Sequence, residues 1–442
     1  MKPRKRRLSS SQIIILGFAA AILMGSLLLM LPFATQDGQG APFSDALFTA
    51  TSAVCVTGLI VHDTATYWSA FGQAVIILLI QIGGMGVITV AVALTKISGR
   101  KISLKQRSTM QEAISAPKVG GIVRLTAFII KMTIIFELIG AVLMVPVFCQ
   151  EFGILKGIWY SIFHSISAFC NAGFDLMGVI SPYGSLTYFI DHPVINCVIM
   201  GLIIIGGIGF LTWDDIKTNK QHFRKYRMQS KVILVTTAAL IILPAVYFFF
   251  FEFSNMPMID RIWGSLFQAV TPRTAGFNTV DLTLLSETGI AVMIILMIVG
   301  GSPGSTAGGM KTTTLAVMLS NAVSVFRHRE HTHFFGRRID AGVLRNAATL
   351  MTMYLVLFLG GGFIISRIEG LPLLTCLFET ASAIGTVGLS LGITPELGYI
   401  SRGILIALMY FGRVGALTLI FAATSGSHCI TSRLPQEKLT VG

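Results

Sequence analysis

Four segments of the chain end in the same pattern, in which small and hydroxyl-bearing residues are followed by glycine and one large apolar residue. They are SDALFTATSAVCVTGL from residue 44, YSIFHSISAFCNAGF from 160, GSLFQAVTPRTAGF from 264 and TCLFETASAIGTVGL from 375. Because glycine adopts positive φ cheaply, such a segment can aim successive carbonyl oxygens at one point with no side chain in the way. Carbonyl oxygens arranged in this way replace the hydration shell of a cation. The predicted chemistry is therefore binding of a dehydrated ion.

Each of these segments is too short to cross a bilayer, since an apolar run of about 10 to 14 residues indicates a re-entrant element. Longer apolar stretches flank each one, so the repeated unit is helix, re-entrant segment, helix. Irregular backbone at membrane depth is tolerated only where it is buried in protein or lines water, so the four segments should converge on one axis. The half-helix that leads into each segment points the negative end of its dipole toward mid-membrane, which favours a cation.

The predicted fold is therefore an all-α integral membrane protein with four helix–re-entrant pore loop–helix repeats around a pseudo-four-fold pore. A single domain spans residues 1–442, with repeats at 12–98, 122–216, 231–326 and 345–425. With 53% hydrophobic and only 12% charged side chains, an ordinary soluble protein is excluded. The first apolar stretch, 13–33, exceeds the apolar core of a signal peptide and is interpreted as a membrane helix, with cleavage as the alternative. The six cysteines are scattered singly, so neither a disulfide framework nor a zinc site is expected.

The charged residues, which give a net charge of +13, are distributed along the chain as expected for a membrane protein. Lysine and arginine concentrate before the first span and in alternate connections, whereas most carboxylates fall in the intervening segments, which is the positive-inside pattern. Both termini are then cytoplasmic, and no nucleic-acid partner is needed to explain the charge. An acidic outer mouth would concentrate cations, although topological bias alone explains the same distribution.

A second signature, two glycines three residues apart, follows each re-entrant segment at Gly83, Gly206, Gly301 and Gly412. In the first two copies it is interpreted as close helix packing through small residues. The third copy lies in residues 300–314, where glycines, a proline and hydroxyls should break the helix, so that it forms either a mobile plug below the ion site or a static kink. The residues that would form the plug are Gly300, Gly301, Ser302, Gly304, Ser305, Thr306, Gly308, Gly309 and Lys311.

The fourth copy contains Arg413, the one charge in residues 403–423. A charge at mid-membrane is a functional candidate by default. A like-charge pair about 6 Å apart at an effective dielectric constant of about 20 costs roughly 3 kcal/mol, enough to slow a passing cation. The alternative is a structural pairing of Arg413 with Glu137 or with a carbonyl.

Several motifs together resemble the Ktr, Trk and HKT superfamily of cation transporters, most closely the Ktr-type membrane subunit, over nearly the whole chain. They are TSAVCVTGL, ISAFCNAGF, VTPRTAGFN, ASAIGTVGLSLG, GGSPGSTAGGMKTTT and YFGRVGALT. The resemblance implies a selectivity filter, an intramembrane gate at residues 300–314 (the gate loop) and a barrier arginine at Arg413. The filter segments that it implies are Val56, Thr57 and Gly58; Asn171, Ala172 and Gly173; Thr274, Ala275 and Gly276; and Thr386, Val387 and Gly388.

The same resemblance implies K⁺ uptake across a bacterial plasma membrane by a homodimer with no covalently bound cofactor. It also implies a cytoplasmic nucleotide-binding regulatory ring of the KtrA type, built from RCK domains. Na⁺-selective relatives often carry serine at the first filter glycine, so Gly58 favours K⁺. A Na⁺-selective or Na⁺-coupled transporter of the same fold is the alternative. One departure concerns the third segment, which has one residue fewer between Phe267 and Gly276 and carries Arg273 beside it, so a local distortion is expected there.

Other functional classes have weaker support. A membrane-embedded enzyme needs converging titratable groups, and the spans offer no nucleophile and base pair. A symporter of organic solutes more often has inverted repeats, whereas these repeats are parallel. HREHTH lacks the spacing of a metalloprotease helix, and GSTAGGMKTT lacks the α/β unit of a phosphate-binding loop. A stand-alone channel is the nearest rival.

Overall fold

The computed structural model describes residues 9–97, 102–114, 120–415 and Thr418. The predicted ends of the first repeat at 98 and of the fourth at 425 lie outside these residues. So do the basic N-terminal run and Cys429.

Within these ranges the chain is almost entirely helical, with one two-stranded hairpin. The helices are α1 (Ser10–Leu29), α2 (Phe43–Cys55), α3 (Thr64–Tyr67), α4 (Ala70–Met85), α5 (Val87–Ile97), α6 (Leu104–Ile114), α7 (Ile122–Phe152), α8 (Ile154–Phe169), α9 (Pro193–Gly207), α10 (Phe210–Asn219), α11 (Met228–Tyr247), α12 (Met258–Val270), α13 (Glu287–Ile298), α14 (Thr312–Phe326), α15 (Ala341–Glu369), α16 (Leu373–Gly385) and α17 (Tyr399–Val414). A π-helical turn, Phe248–Glu252, continues α11. Strands β1 (His333–Phe334) and β2 (Arg337–Arg338) pair antiparallel.

Each repeat begins with a long apolar helix. These outer helices are α1, α7, α11 with its π turn, and α15, and each is long and apolar enough to cross a bilayer. A short half-helix follows in each repeat: α2, α8, α12 and α16. We call these four the pore helices.

The pore helices occupy the centre of the molecule. Each carries a phenylalanine at the same position of the repeat, and Phe48, Phe163, Phe267 and Phe378 are all 0% exposed. Three of the pore helices have a proline at the N-cap, where the missing N–H and fixed φ suit a helix start. The core therefore encloses the half-helices, while the outer helices expose many apolar side chains, such as Leu27 and Val142, on the molecular surface.

The inner helix is broken in the first, second and third repeats, which the sequence predicted only for the third. Gly86 follows α4, Gly209 precedes α10 and Gly415 follows α17, with φ of 85°, 91° and 88°. The helices α9 and α10 are bent by 97°. In the third repeat the break is longer and separates α13 from α14. In the first two repeats the second glycine of the signature therefore interrupts a helix, because its backbone conformation is one that L side chains rarely adopt.

In the first, second and fourth repeats the first glycine of the signature packs against a pore helix, as the sequence predicted for the first two. A Cβ on Gly83 would lie 2.0 Å from the carbonyl oxygen of Val54, and one on Gly206 would lie 2.1 Å from that of Phe169. At Gly412 the corresponding distance, to the carbonyl of Ile384, is 2.2 Å. The backbone of the inner helix thus touches the end of the pore helix directly, which only glycine permits.

The fourth repeat closes against the first. Arg402 of α17 donates from Nη1 to Oδ1 of Asp45 at 3.0 Å and from Nη2 to the carbonyl of Pro395 at 2.8 Å. The other carboxylate oxygen of Asp45 lies 2.7 Å from Nε2 of His62, whose ring stacks on Tyr67. These side chains are partly buried, and they form a polar seam between the two ends of the chain.

Candidate ion pathway

Three of the four pore helices end with the same hydrogen bonds. The N–H of Val56 donates to the carbonyl of Ala53 at 3.1 Å, and that of Thr57 donates to Ser52 at 2.8 Å. Asn171 with Ala172, and Thr386 with Val387, repeat these bonds at the same distances in their own repeats. This is the Schellman arrangement, in which one residue at positive φ ends the helix. Each filter segment therefore starts at a fixed angle to its pore helix.

The third pore helix ends differently because its segment is one residue shorter. Here the N–H of Ala275 donates to the carbonyl of Thr271 at 2.9 Å, one residue closer along the chain than in the other repeats. The hydroxyl of Thr271 nevertheless donates to the carbonyl of Phe277 at 2.5 Å, as Ser167 donates to Phe174 at 2.7 Å in the second repeat. The expected distortion is thus confined to the helix end, and the backbone regains the common register by the filter glycine.

A buried hydroxyl at the end of each pore helix holds the segment that follows. In the second and third repeats it donates to the carbonyl after the filter glycine. In the first and fourth repeats the hydroxyls of Ser52 and Ser382 accept the N–H of Gly58 and Gly388, each at 3.0 Å. All four hydroxyl-bearing residues can be found in the aligned segments, but their role in holding the following segment was not predicted from the sequence.

The four filter glycines form a closed ring in chain order. A Cβ on Gly58 would lie 2.5 Å from the carbonyl oxygen of Ala172, one on Gly173 would lie 2.7 Å from that of Ala275, one on Gly276 would lie 2.4 Å from that of Val387, and one on Gly388 would lie 2.2 Å from that of Thr57. All four have positive φ, between 72° and 94°. At the glycines, each filter segment therefore contacts the next through backbone atoms.

The residue two positions before each glycine also has positive φ. Val56, Asn171, Thr274 and Thr386 have φ of 57°, 59°, 67° and 51°. Three of them are β-branched, for which this conformation is an outlier. Such strained residues persist only where the surrounding structure fixes them, and they cluster at functional sites. This backbone strain recurs in all four repeats and is therefore a property of the ring.

A cavity lies on each side of the ring. One, of about 400 Å³, is lined by all four filter glycines and by loop residues beyond them, including Asp175, Asp281 and Glu396. The other, of about 280 Å³, is lined by the helix breaks, the gate loop and Arg413. The first cavity borders the C-terminal ends of the filter segments, and the gate loop packs at their N-terminal ends. A path along the axis would therefore pass from an acidic cavity through the ring to the gate loop.

The gate loop is bound to the second repeat. The N–H groups of Ser302 and Thr306 donate to the carbonyls of Gly207 and Gly206 at 3.0 and 3.3 Å. In return, the N–H of Phe210 donates to the carbonyl of Gly304 at 2.7 Å. The loop thus occupies the break between α9 and α10 and satisfies backbone groups that the break leaves open.

The gate loop also touches the fourth repeat. The N–H of Gly309 donates to the carbonyl of Gly412 at 3.1 Å, and a Cβ on Gly308 would lie 2.1 Å from Oγ1 of Thr386. The ammonium of Lys311 turns back onto its own loop and donates to the carbonyls of Ala307 and Gly308 at 2.8 and 3.1 Å. The loop is therefore packed directly beneath the filter segment of the fourth repeat.

Arg413 donates to main-chain carbonyls of two other repeats. Its guanidinium binds the carbonyls of Thr306 in the gate loop and of Gly83 and Gly84 at the first helix break. Glu137, one of its predicted partners, instead accepts a hydrogen bond from Gln81 at 3.2 Å. Of the two structural pairings that the sequence left open, the one with carbonyls is present, and it places a cation beside the second cavity.

Polar side chains in two pore helices hold the loops that follow the filter. Nε2 of His164 accepts the N–H of Leu176 at 3.3 Å, and the carboxylate of Glu379 accepts the N–H of Leu391 at 3.3 Å. In each repeat the donor lies three residues after the filter glycine. Glu379 also accepts from the hydroxyls of Ser390 and Thr394. This role of Glu379 was not predicted from the sequence.

Comparison with known proteins agrees with this architecture. The family model described as "TrkH: Cation transport protein" matches residues 6–428. The chain is 39% identical to the potassium/sodium uptake protein NtpJ of Enterococcus hirae, over 100% of this chain and 99% of that protein. It is 40% identical to the Ktr system potassium uptake protein B of Bacillus subtilis, over 94% of this chain and 93% of that protein.

The fold is similar to that in the crystal structure of the potassium transporter TrkH from Vibrio parahaemolyticus. The TM-score is 0.75 at 19% sequence identity, and the match covers 95% of this chain and 86% of the other. At this identity the likeness concerns the fold alone.

Proposed function

Since the chain belongs to the TrkH family of cation transport proteins, and is therefore a multi-pass membrane transporter and not an enzyme, we propose that it is the ion-translocating subunit of a K⁺ uptake system. Ions would pass through the ring formed by residues 56–58, 171–173, 274–276 and 386–388. The observation that carries this proposal is the closed contact of four positive-φ glycines in chain order. Such a ring can surround one dehydrated cation with carbonyl oxygens.

K⁺ is the proposed ion because Gly58 is glycine where Na⁺-selective relatives often carry serine. A Cβ at this position would lie 2.5 Å from the carbonyl of Ala172, so a serine would have to displace a neighbouring filter segment. The name of the relative from Bacillus subtilis refers to potassium, and that of the relative from Enterococcus hirae refers to potassium and sodium. Na⁺ as a transported or coupling ion is therefore the second candidate.

The gate loop is proposed to close the pathway below the filter, with Arg413 as a fixed positive barrier. The contacts of the loop with the second and fourth repeats support a position on the axis. Removing residues 305–308 would open the path, so K⁺ flux into liposomes should rise. Unchanged flux in a variant that still folds would exclude the plug and favour a static kink.

The proposed assembly is a homodimer in the bacterial plasma membrane, with both termini cytoplasmic and a nucleotide-binding ring of the KtrA type (RCK domains) on the cytoplasmic side. The four repeats at 12–98, 122–216, 231–326 and 345–425 are proposed as its internal units. The name of the relative in Bacillus subtilis refers to a Ktr system, which is consistent with a multi-subunit transporter.

The test is cation uptake in a K⁺-transport-deficient bacterium that also expresses a matching cytoplasmic subunit. Wild type should restore K⁺ uptake, and Gly58→Ser should lower the preference for K⁺ over Na⁺. Gly38→Ser is the matched control, because Gly38 also has positive φ (70°) but has nothing within 4 Å of an added Cβ. If wild type moves Na⁺ and not K⁺, the second candidate replaces the first. If it moves neither ion, the ring is not a filter.

A further inference from the structure

One filter residue makes contacts that its counterparts in the other repeats do not make. Asn171 is 0% exposed, and its Nδ2 donates to the carbonyl of Arg273 at 3.1 Å. Arg273 immediately precedes the third filter segment. The side chain of one filter segment thus holds the backbone at the start of the next one.

The other end of the same amide faces the gate loop. The hydroxyl of Thr306 lies 3.0 Å from the carbonyl of Phe169 and 3.3 Å from Oδ1 of Asn171, and its single proton is shared between these two acceptors. Because an amide carries a donor at one end and an acceptor at the other, Asn171 can link two partners at once. The resulting chain of contacts runs from Thr306 through Asn171 to Arg273.

This junction has no room for another group. A Cβ on Gly206 would lie 2.8 Å from Oδ1 of Asn171, 2.9 Å from Oγ1 of Thr306 and 2.1 Å from the carbonyl of Phe169. A displacement of Thr306 therefore cannot be compensated by a side chain from the facing helix. The amide oxygen would lose its partner in a fully buried place, where an unmade hydrogen bond is unfavourable.

The other repeats lack this connection. Val56 has no polar side-chain atom, and the hydroxyl of Thr386 lies beside Gly308 but has no hydrogen-bond partner among the described residues. Thr274, in the third segment, is itself within 3.5 Å of the amide of Asn171. The asymmetry within a four-fold arrangement indicates a role specific to the second repeat.

We propose that Asn171 and Thr306 couple the gate loop to the third filter segment, so that Asn171 is a positioning residue through which the loop influences ion selectivity. This inference rests on the proposed function of the ring as filter and of residues 300–314 as gate. When the loop leaves the axis, Thr306 leaves Asn171, and the restraint on the carbonyl of Arg273 weakens. Ion selectivity and the position of the gate loop then both depend on the contact between Thr306 and Asn171.

The experiment changes Thr306 in the gate loop and measures ion selectivity at the filter. Thr306→Val removes the hydroxyl at nearly constant shape, and Thr306→Ser retains it. In liposomes containing the purified protein, K⁺ and Na⁺ fluxes should show a K⁺/Na⁺ ratio about two- to tenfold lower for Thr306→Val, the range expected for one hydrogen bond, and close to wild type for Thr306→Ser.

The reciprocal variant is Asn171→Thr, because threonine occupies the same strained position in the third and fourth repeats. It should increase hydrogen–deuterium exchange of residues 300–311, although the substitution lies in the filter, since coupling between two sites is reciprocal. The double variant should reduce selectivity no more than Asn171→Thr alone, because both changes break one contact.

Any of three results would overturn the coupling and leave the proposed function intact. One is a wild-type K⁺/Na⁺ ratio in Thr306→Val with altered total flux, and another is unchanged exchange of the loop in Asn171→Thr. Additive losses in the double variant would likewise show two independent contacts. Absence of K⁺ flux in wild type would instead reject the filter itself, and the coupling with it.

Discussion

Comparing Gly388 with Gly392 separates two reasons why a position requires glycine, namely its backbone conformation and the lack of space for a side chain. Their φ angles are 94° and 92°, so alanine meets nearly the same backbone strain at both positions. A Cβ on Gly388 would lie 2.2 Å from the carbonyl of Thr57 and 2.9 Å from the Cα of Gly58, whereas one on Gly392 has nothing within 4 Å. The two substitutions therefore differ in crowding alone.

The magnitudes follow from these environments. Forcing an L-residue into the left-handed region costs about 1 to 2 kcal/mol, a cost that both variants share. Overpacking adds about 1 to 3 kcal/mol for Gly388→Ala only. If the ring spreads to relieve this overlap, the same energy is lost from ion coordination, which corresponds to about 5- to 150-fold in affinity.

The assay is K⁺ uptake together with thermal unfolding of the purified protein in detergent. Gly388→Ala should lose most uptake or most of the preference for K⁺ over Na⁺, while Gly392→Ala should retain both with a modestly lower unfolding midpoint. Equal uptake by the two variants would mean that the contact between Gly388 and Thr57 does not constrain the pathway.

Three further predictions address other parts of the pathway. Gly206→Ala should lower the unfolding midpoint, because its Cβ would meet a pore-helix carbonyl at 2.1 Å. Gly201→Ala in the same helix meets nothing within 4 Å and should raise the free energy of unfolding by about 0.5 to 1 kcal/mol. Equal unfolding midpoints of the two variants would contradict the packing argument. Arg413→Gln should raise K⁺ flux by up to about 100-fold, the equivalent of roughly 3 kcal/mol for a like charge 6 Å away, and a liposome flux no higher than wild type would remove the barrier role. Glu379→Gln keeps an acceptor for the loop after the filter and should retain uptake, whereas Glu379→Leu should lose it; equal uptake by both variants would show that the carboxylate does not hold that loop.

Sequence alone could predict the four glycines that the ring brings together, because each repeat solves the same backbone problem with glycine. Gly58 and Gly388 recur in one pattern because only glycine fits the close approach that both make, and this demand is local enough to be visible in a single sequence. The short half-helices were predictable for a similar reason, since their length excludes a span.

The helix breaks and the contact of Asn171 with Thr306 were not predictable in the same way. A pair of glycines in an apolar helix suits close packing and a break equally well, and the φ of Gly86 or Gly209 decides between them only in three dimensions. Asn171 and Thr306 are 135 residues apart, and no pattern links them. Arg413 posed the same difficulty, because backbone carbonyls as partners leave no trace in the residue types around them.

The seam between Arg402 and Asp45, with the contact of Gly388 and Thr57, has a consequence for biosynthesis. The first repeat leaves the ribosome long before the fourth, so its filter segment must wait beside the lipid without its final neighbour. Backbone groups without partners are poorly tolerated in a bilayer, and contacts between distant parts of a chain form slowly. Chains truncated before α16 should therefore keep one open side and be preferred substrates of membrane quality-control proteases, which would make ring closure the checkpoint of assembly.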